Sequence, residues 1–243
     1  MRRDHRPWAI KRAFIRLEKR YTRHFIAPQL DRLGPGHRFM RPWHVKLFGA
    51  PIEIGRCATV IAASDAKVRL SVWPQAAGEG RIAIGDYCLL CPGVRVSAAS
   101  AITIGDNCML ANGVYITDSD WHDIYNRLTM GQAEAVVIGD NVWLGDGVTV
   151  CKGVTVGANS IVGAGSVVVK EIPPNSVAAG NPAKVVKTLD AEGGFVTRES
   201  WFDQARNLAA EFKAWDQALL EGNTLLGWLL SLIHISEPTR PRR

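Results

Sequence analysis

The sequence predicts a mainly β protein, a parallel β-helix with helical N- and C-terminal flanks. Three observations carry that prediction. Aliphatic residues recur every six positions, the residue after each is usually small, and both ends of the chain instead carry apolar residues at helical spacing.

The six-residue rhythm is clearest from Ile138, through Leu144, Val150, Val156 and Val162, to Val168. It also runs through Ile84, Leu90 and Val96, through Ile104, Leu110 and Ile116, and more weakly through Ile54, Val60, Ala66 and Val72. The following residue is small at Gly85, Gly105, Ala111, Gly139, Gly145, Gly157 and Gly163. Four after the aliphatic, small or β-branched residues dominate, from Ala58 and Cys88 to Val148 and Ser166. An α-helix cannot present this pattern, because six residues carry it through about 600°. A hairpin meander fails too, since its turns do not fall every six residues. Short strands fit, each followed by a corner where Gly, Asn or Asp takes up unusual backbone angles. Three such strands close a triangular coil of about eighteen residues, and coils stack about 4.8 Å apart through parallel ladders. The pattern assigns residues 50–188 to this prism.

The same frame locates an interruption. Ile104 to Ile138 is thirty-four residues, one coil plus sixteen, so a sixteen-residue insertion leaves one corner within residues 117–135. Its sequence, TDSDWHDIYNRLTMGQAEA, is polar and aromatic and ignores the six-residue rule. Long loops ejected from a rigid scaffold commonly carry function.

Residues 1–49 form a basic segment with thirteen Lys/Arg against three Asp/Glu between Arg2 and Lys46. Its apolar residues from Trp8 to Ile26 are spaced for a helix that packs on the open end of the prism, where strands would otherwise be exposed. A basic face of this kind is also able to touch a membrane surface. Residues 189–229 read as a helical C-terminal segment, with Trp201, Phe202, Ala205, Leu208, Phe212, Trp215 and Leu219 on one side. Residues 230–243, ending SLIHISEPTRPRR, have no periodicity and resemble a translated adapter or out-of-frame tail.

Bulk composition agrees with a globular protein: 47% hydrophobic and 21% charged over 243 residues, with net charge +6. No apolar run reaches the roughly 18–20 residues that span a bilayer, and no secretory signal is recognised, so the expected location is the cytoplasm, with membrane association through the basic N-terminus as an option. Nucleic acid is not expected as a partner. The five cysteines lack a disulfide-framework spacing; Cys88 and Cys108 take the small inward position, Cys91 and Cys151 a corner. No metal site is expected.

His122 is the sole histidine between Pro51 and Gly222, and it lies in the ejected loop beside Asp118, Asp120, Trp121 and Asp123. An imidazole titrates close to neutral pH and is able to take a proton from a hydroxyl or amine. A neighbouring carboxylate, Asp118, Asp120 or Asp123, would fix its tautomer. The plainer reading is a solvated loop histidine; its place in an otherwise regular solenoid favours the catalytic one.

The segment from Ile138 to Val186, beginning IGDNVWLGDGVTVCKGVTVG and containing GNPAKVV, resembles the hexapeptide-repeat acyltransferases. The likeness is to the galactoside/maltose acetyltransferase type, which includes polysaccharide O-acetyltransferases. This resemblance, not the spacing, implies that the prism is left-handed. It implies that His122, in ITDSDWH, is the general base and that Asn112, in LANGV, faces the acceptor. It also implies direct attack on the thioester of acetyl-CoA without an acyl-enzyme, in a homotrimer with sites between subunits. Trp143 and Asp146 match positions beside the thioester arm, and Gly163, Ala164 and Gly165 match the small residues along which pantetheine runs. Val169, Lys170 and Lys184 match contacts to the nucleotide end, where a lysine suits phosphate. Two departures leave the acceptor open between sugars, polysaccharide precursors and other hydroxylated or amino metabolites. Where the sugar enzymes place an acceptor-gripping Asp, VSAASAITIG offers Ser97 and Ser100, and His122 is followed by Asp123, not Pro.

Two other readings are open to test. A γ-type carbonic anhydrase shares the solenoid but needs three zinc-binding histidines, which one solenoid histidine does not supply. A non-catalytic β-helix scaffold would need no histidine at all.

Overall fold

The computed structural model of the chain describes residues 4–74, 78–203 and 208–235. It divides into two compact units, residues 19–201 and a second unit drawn from both chain ends.

Residues 19–201 wind into a triangular prism whose three faces are stacks of parallel strands. The first face stacks Arg32–Leu33, Ile52–Ile54, Ile82–Ile84, Ile102–Ile104, Val136–Ile138 and Thr155–Val156. The second stacks Arg38–Met40, Thr59–Ile61, Leu89–Leu90, Met109–Leu110, Trp143–Leu144, Ile161–Val162 and Ser176–Gly180. It ends in an antiparallel strand, Ala183–Thr188. The third stacks Val45–Phe48, Val68–Val72, Arg95–Ala98, Tyr115–Thr117, Thr149–Val150 and Val167–Val168. Each inward aliphatic meets its counterpart one coil away: Ile84 pairs with Ile104, and Ile104 with Ile138 across the insertion. Leu90, Leu110 and Leu144, with Val96, Ile116 and Val150, are fully buried. The apolar repeat thus becomes one continuous core, burying about 25 cal/mol for every Å² removed from water.

The structure departs from the six-residue frame in two places. Strand pairing begins at Arg32, against Glu53, so the first coil starts inside the segment read as a helical flank. The weak hexads also slip: Leu70, not Ala66, fills the aliphatic position, pairing with Leu47 and Val96. The cause is a longer corner after Val60, closed by the Ala63 amide donating to the Ala66 carbonyl at 3.1 Å.

The corners explain the repeated Gly-Asp-Asn. Asn107, Asn141, Asn159 and Asn175 all stand at positive φ, a region Asn tolerates better than most residues. Their side chains stack: Asn141 donates to Asn159 and Asn159 to Asn175, both at 3.0 Å. Each corner Asp caps an amide one coil earlier. Asp106 accepts from the Asp86 amide at 2.7 Å and Asp140 from the Asp106 amide at 2.8 Å. A Cβ at Gly105 would run into the Asp140 carboxylate and backbone, which is why that slot is glycine. Inside, the Cys88 and Cys108 thiols are fully buried and donate to the Gly105 and Gly139 carbonyls. No disulfide joins the five cysteines.

The lower end of the prism is closed by the turn of chain at Thr22–Ile26, where Ile26 joins the core and Tyr21 packs beside it. After the last coil, Arg198 returns to donate to the Tyr87 carbonyl at 2.6 Å, and the Glu199 amide to Asn107 Oδ1 at 2.7 Å.

The second unit contains most of helix Trp8–Tyr21, with helices Leu208–Leu219 and Leu225–Ile235. Lys11 pairs with Asp216 at 2.6 Å, and Asn223 Nδ2 donates to the Asp4 and Arg6 carbonyls. Of the one C-terminal helix that the sequence predicts, the structure describes Arg198–Asp203 and Leu208–Leu219 as helical, and residues 204–207 lie outside the described residues. Ala205 lies outside the described residues, as do the side chains of Leu208 and Phe212. Residues 230–235, set apart in the sequence as a foreign tail, continue a helix; 236–243 lie outside the described residues. Among the described residues no helix is long and apolar enough to cross a membrane.

Candidate active site

The insertion leaves the third face after Thr117 and rejoins the first face at Val136. It is an irregular antiparallel arm. Ser119 bridges Ala133, the Asp120 amide donates to the Gln132 carbonyl at 2.9 Å, and the Asp123 amide to the Thr129 carbonyl at 3.0 Å. The arm's foot is locked by Trp121 Nε1 donating to Thr117 Oγ1 at 3.2 Å. Gly131 is required where it stands, because a Cβ there would meet the Asp120 and His122 carbonyls.

His122 is exposed on this arm, with Nδ1 3.0 Å from the carbonyl oxygen of Arg127. A carbonyl only accepts, so Nδ1 carries the hydrogen and Nε2 keeps its lone pair for a substrate proton. This corrects the expectation that a carboxylate orients the ring, since each of the three is bonded to other groups. Asp118 is fully buried and accepts from the Ala99 amide at 2.6 Å and the Ser100 amide at 2.8 Å. Burial pushes its carboxyl up, against the opposing pull of those amides. Asp123 Oδ1 accepts from the Tyr125 and Asn126 amides, which hold its carboxyl below the usual range. Asp120 pairs with Lys152 Nζ at 3.2 Å.

Lys152 is the residue the sequence reading missed. From the coil above, it reaches both strands of the arm, Asp120 on one and Glu134 on the other, each at 3.2 Å. No local pattern marks it, since its partners lie far off in sequence and meet it only through the stacking of coils.

The residues matched to acceptor and coenzyme fall on two edges of the prism. Asn112 and Asp146 occupy the edge between second and third faces, the Asn112 amide donating to Asp146 Oδ1 at 3.2 Å. Gly163, Ala164 and Gly165 continue that edge one coil higher, where the Gly165 amide donates to the Asp146 carbonyl at 2.7 Å. The edge is bare: a Cβ at Gly147 or Gly165 would meet no atom within 4 Å. Trp143 stands beside it, 45% exposed, and Lys184, opposite Ala179, ends the same face. Val169 and Lys170 lie instead on the edge between third and first faces, the edge from which the His122 arm departs. One chain therefore does not gather His122 with Trp143, Asp146 and Ala164; the third face intervenes. Among the described residues no group of three His, Cys, Asp or Glu side chains is disposed to hold a metal ion.

A three-faced prism of six-residue turns is the architecture of the hexapeptide-repeat β-helices. Two family models match it: "Bacterial transferase hexapeptide (six repeats)" over residues 135–170 and "Hexapeptide repeat of succinyl-transferase" over 81–118. The Saccharomyces cerevisiae protein named "Putative acetyltransferase YJL218W" is 41% identical over 76 residues, 31% of this chain and 39% of that protein. The match thus spans about two fifths of the length of that curated relative. A galactoside acetyltransferase solved in complex with coenzyme A superimposes with TM-score 0.50 and 26% identity, covering 71% of this chain and 72% of that one. AntD, an N-acyltransferase from Bacillus cereus, shares the fold at TM-score 0.57 and 15% identity, covering 79% and 94% of the two chains. Two stretches of the chain thus match hexapeptide-repeat models, and its fold, a left-handed parallel β-helix, is one it shares with these acyltransferases.

Proposed function

We propose that the protein is a CoA-dependent acyltransferase that moves an acetyl or short acyl group to a hydroxyl or amine of a sugar-like acceptor, with His122 as general base. The observation that carries this reading is the His122–Arg127 contact, which leaves Nε2 basic and open on an exposed arm. Nε2 takes the acceptor's proton as its oxygen or nitrogen attacks the thioester carbonyl. The carbon–sulfur bond breaks, and the proton passes to the departing thiolate, so no bond to the protein forms.

Acetyl-CoA enters as a cosubstrate. The bare edge at Gly147, Ala164 and Gly165 accommodates an extended thiol arm without side-chain obstruction, and Lys170 and Lys184 supply exposed cations for phosphates. Because that edge and His122 are separated by one face of the prism, a complete site requires a neighbouring copy, and a trimer with sites between subunits meets the need. Ile124, Tyr125 and Leu128 at the tip of the arm, 64%, 92% and 97% exposed, offer apolar surface for such a contact.

The test is acetyl-CoA consumption against a panel of sugars, nucleotide-sugars and amino alcohols, with His122→Ala alongside. The variant is expected to keep its fold and oligomeric state and to lose about 10²–10⁴-fold in turnover. Undiminished turnover would remove His122 from the reaction.

A further inference from the structure

On the third face, below the His122 arm, three cations stand in register: Lys46 opposite Arg69, Arg69 opposite Arg95, and Arg95 opposite Tyr115. Adjacent strands are about 4.8 Å apart, so the column concentrates three positive charges within about 10 Å. Like charges directly opposite each other weaken a sheet. No acidic side chain pairs with any of the three among the described residues. The fold thus carries an uncompensated positive stripe where nothing in the coil architecture calls for one.

Beside the stripe, Phe48 and Trp73 stack at 4.0 Å between ring centroids and 24° between planes, both about half exposed. The rings and cations line one shallow groove of about 370 Å³, with Ser71 on its floor. The groove has polar continuity toward the arm. Ser71 Oγ lies 3.2 Å from Ser97 Oγ, which also accepts from Arg95 Nε at 3.3 Å. Ser97 is in register with Thr117, and Thr117 accepts from Trp121, the residue before His122. Arg95 is held in place by the Tyr115 ring, 4.6 Å from its guanidinium carbon.

We infer that this face binds the acceptor and that the acceptor is an anionic saccharide longer than one sugar unit. The inference rests on the acyltransferase reading above and adds the substrate class. Guanidinium and ammonium groups in a row match carboxylates or phosphates repeated along a chain. Phe48 and Trp73 lie flat against each other and do not project as separate wedges, so they suit the C–H face of a sugar ring better than insertion into a bilayer. The stripe spans the first three coils and the arm leaves the fourth, so a ligand anchored at Lys46 and reaching His122 is an extended one.

The experiment uses the full chain and two probes of equal length, a hyaluronan hexasaccharide carrying carboxylates and neutral maltohexaose. Binding is followed by calorimetry without acetyl-CoA, so it does not depend on the chemistry. The acidic probe is expected to bind at least tenfold more tightly than the neutral one. Arg69→Ser combined with Arg95→Ser should weaken it about 100-fold, about tenfold for each charged hydrogen bond lost, while light scattering shows an unchanged oligomer. Trp73→Ala should weaken both probes. Equal binding of the two probes, or an unaffected double variant, overturns the inference. So does a double variant whose oligomeric state changes, which would make the face a subunit contact, or binding to phosphatidylserine vesicles without binding to either sugar. Turnover separates the two readings. Acetyl-CoA consumption with neutral acceptors alone overturns the acidic assignment and leaves the transferase intact; no turnover despite tight acidic binding overturns the transferase.

Discussion

The imidazole Nδ1 of His122 sits 3.0 Å from the carbonyl oxygen of Arg127, five residues further along the same arm. A main-chain carbonyl does not titrate, so the ring is held in one tautomer by the fold of the arm and not by a second ionisable group. Nitrogen-15 spectra of the neutral ring are expected to show hydrogen on Nδ1 and a lone pair on Nε2. The reverse tautomer would mean that the nitrogen facing solvent cannot act as a base.

Lys152 is expected to act as a positioning residue. It ties Asp120 and Glu134 together, its own side chain mostly covered. Partly exposed pairs contribute modestly, so Lys152→Met should cost no more than about 1 kcal/mol in stability. Turnover should nevertheless fall by about tenfold, through a misplaced His122, with the KM for acetyl-CoA nearly unchanged and Lys152→Arg recovering most of the loss. A parallel fall in Tm and turnover would reduce Lys152 to a structural tie.

Asp118 anchors the arm's foot to the preceding coil through the Ala99 and Ser100 amides. Asp118→Ala orphans the buried Ala99 amide, which should cost about 1–3 kcal/mol, and frees the part-buried Ser100 amide to water at a smaller cost. The pH dependence has a definite sign. Burial raises the native carboxyl above 3.8, so the native state binds this proton more tightly than the unfolded chain. The resulting stabilisation is full below 3.8 and is lost as pH rises through the raised value. Urea midpoints across that window should decline more in the wild type than in Asp118→Asn; parallel curves would sink the account.

The inward positions were legible because a narrow prism constrains them so tightly. Ile84, Ile104 and Ile138 each had to be aliphatic, and the interval of thirty-four residues between the last two betrays the arm in the sequence itself. Irregular corners were less legible. Ala66 kept six-residue time while the chain lengthened its turn and moved Leu70 inward, because turn length is set by local hydrogen bonds that leave no period. The roles of Asp118, Asp120 and Asp123 were not readable at all. Three carboxylates clustered around a histidine look alike in a sequence, and only the path of the backbone decides that one takes amides of another coil, one a lysine, and one its own turn. Of the basic stripe only Lys46 entered the N-terminal charge count, because Arg69 and Arg95 lie twenty-odd residues apart and become its neighbours once the coils stack.

A stack whose rungs touch only the rungs above and below loosens from its ends, as a zipper does, and its midsection opens last. The arm bearing His122 leaves the fourth strand of the third face, Tyr115–Thr117, and returns to the fifth strand of the first face, Val136–Ile138. Breathing at either terminus is spent before it travels that far. The His122 imidazole is thus moored to coils away from either end of the stack, although its own arm stands out in solvent.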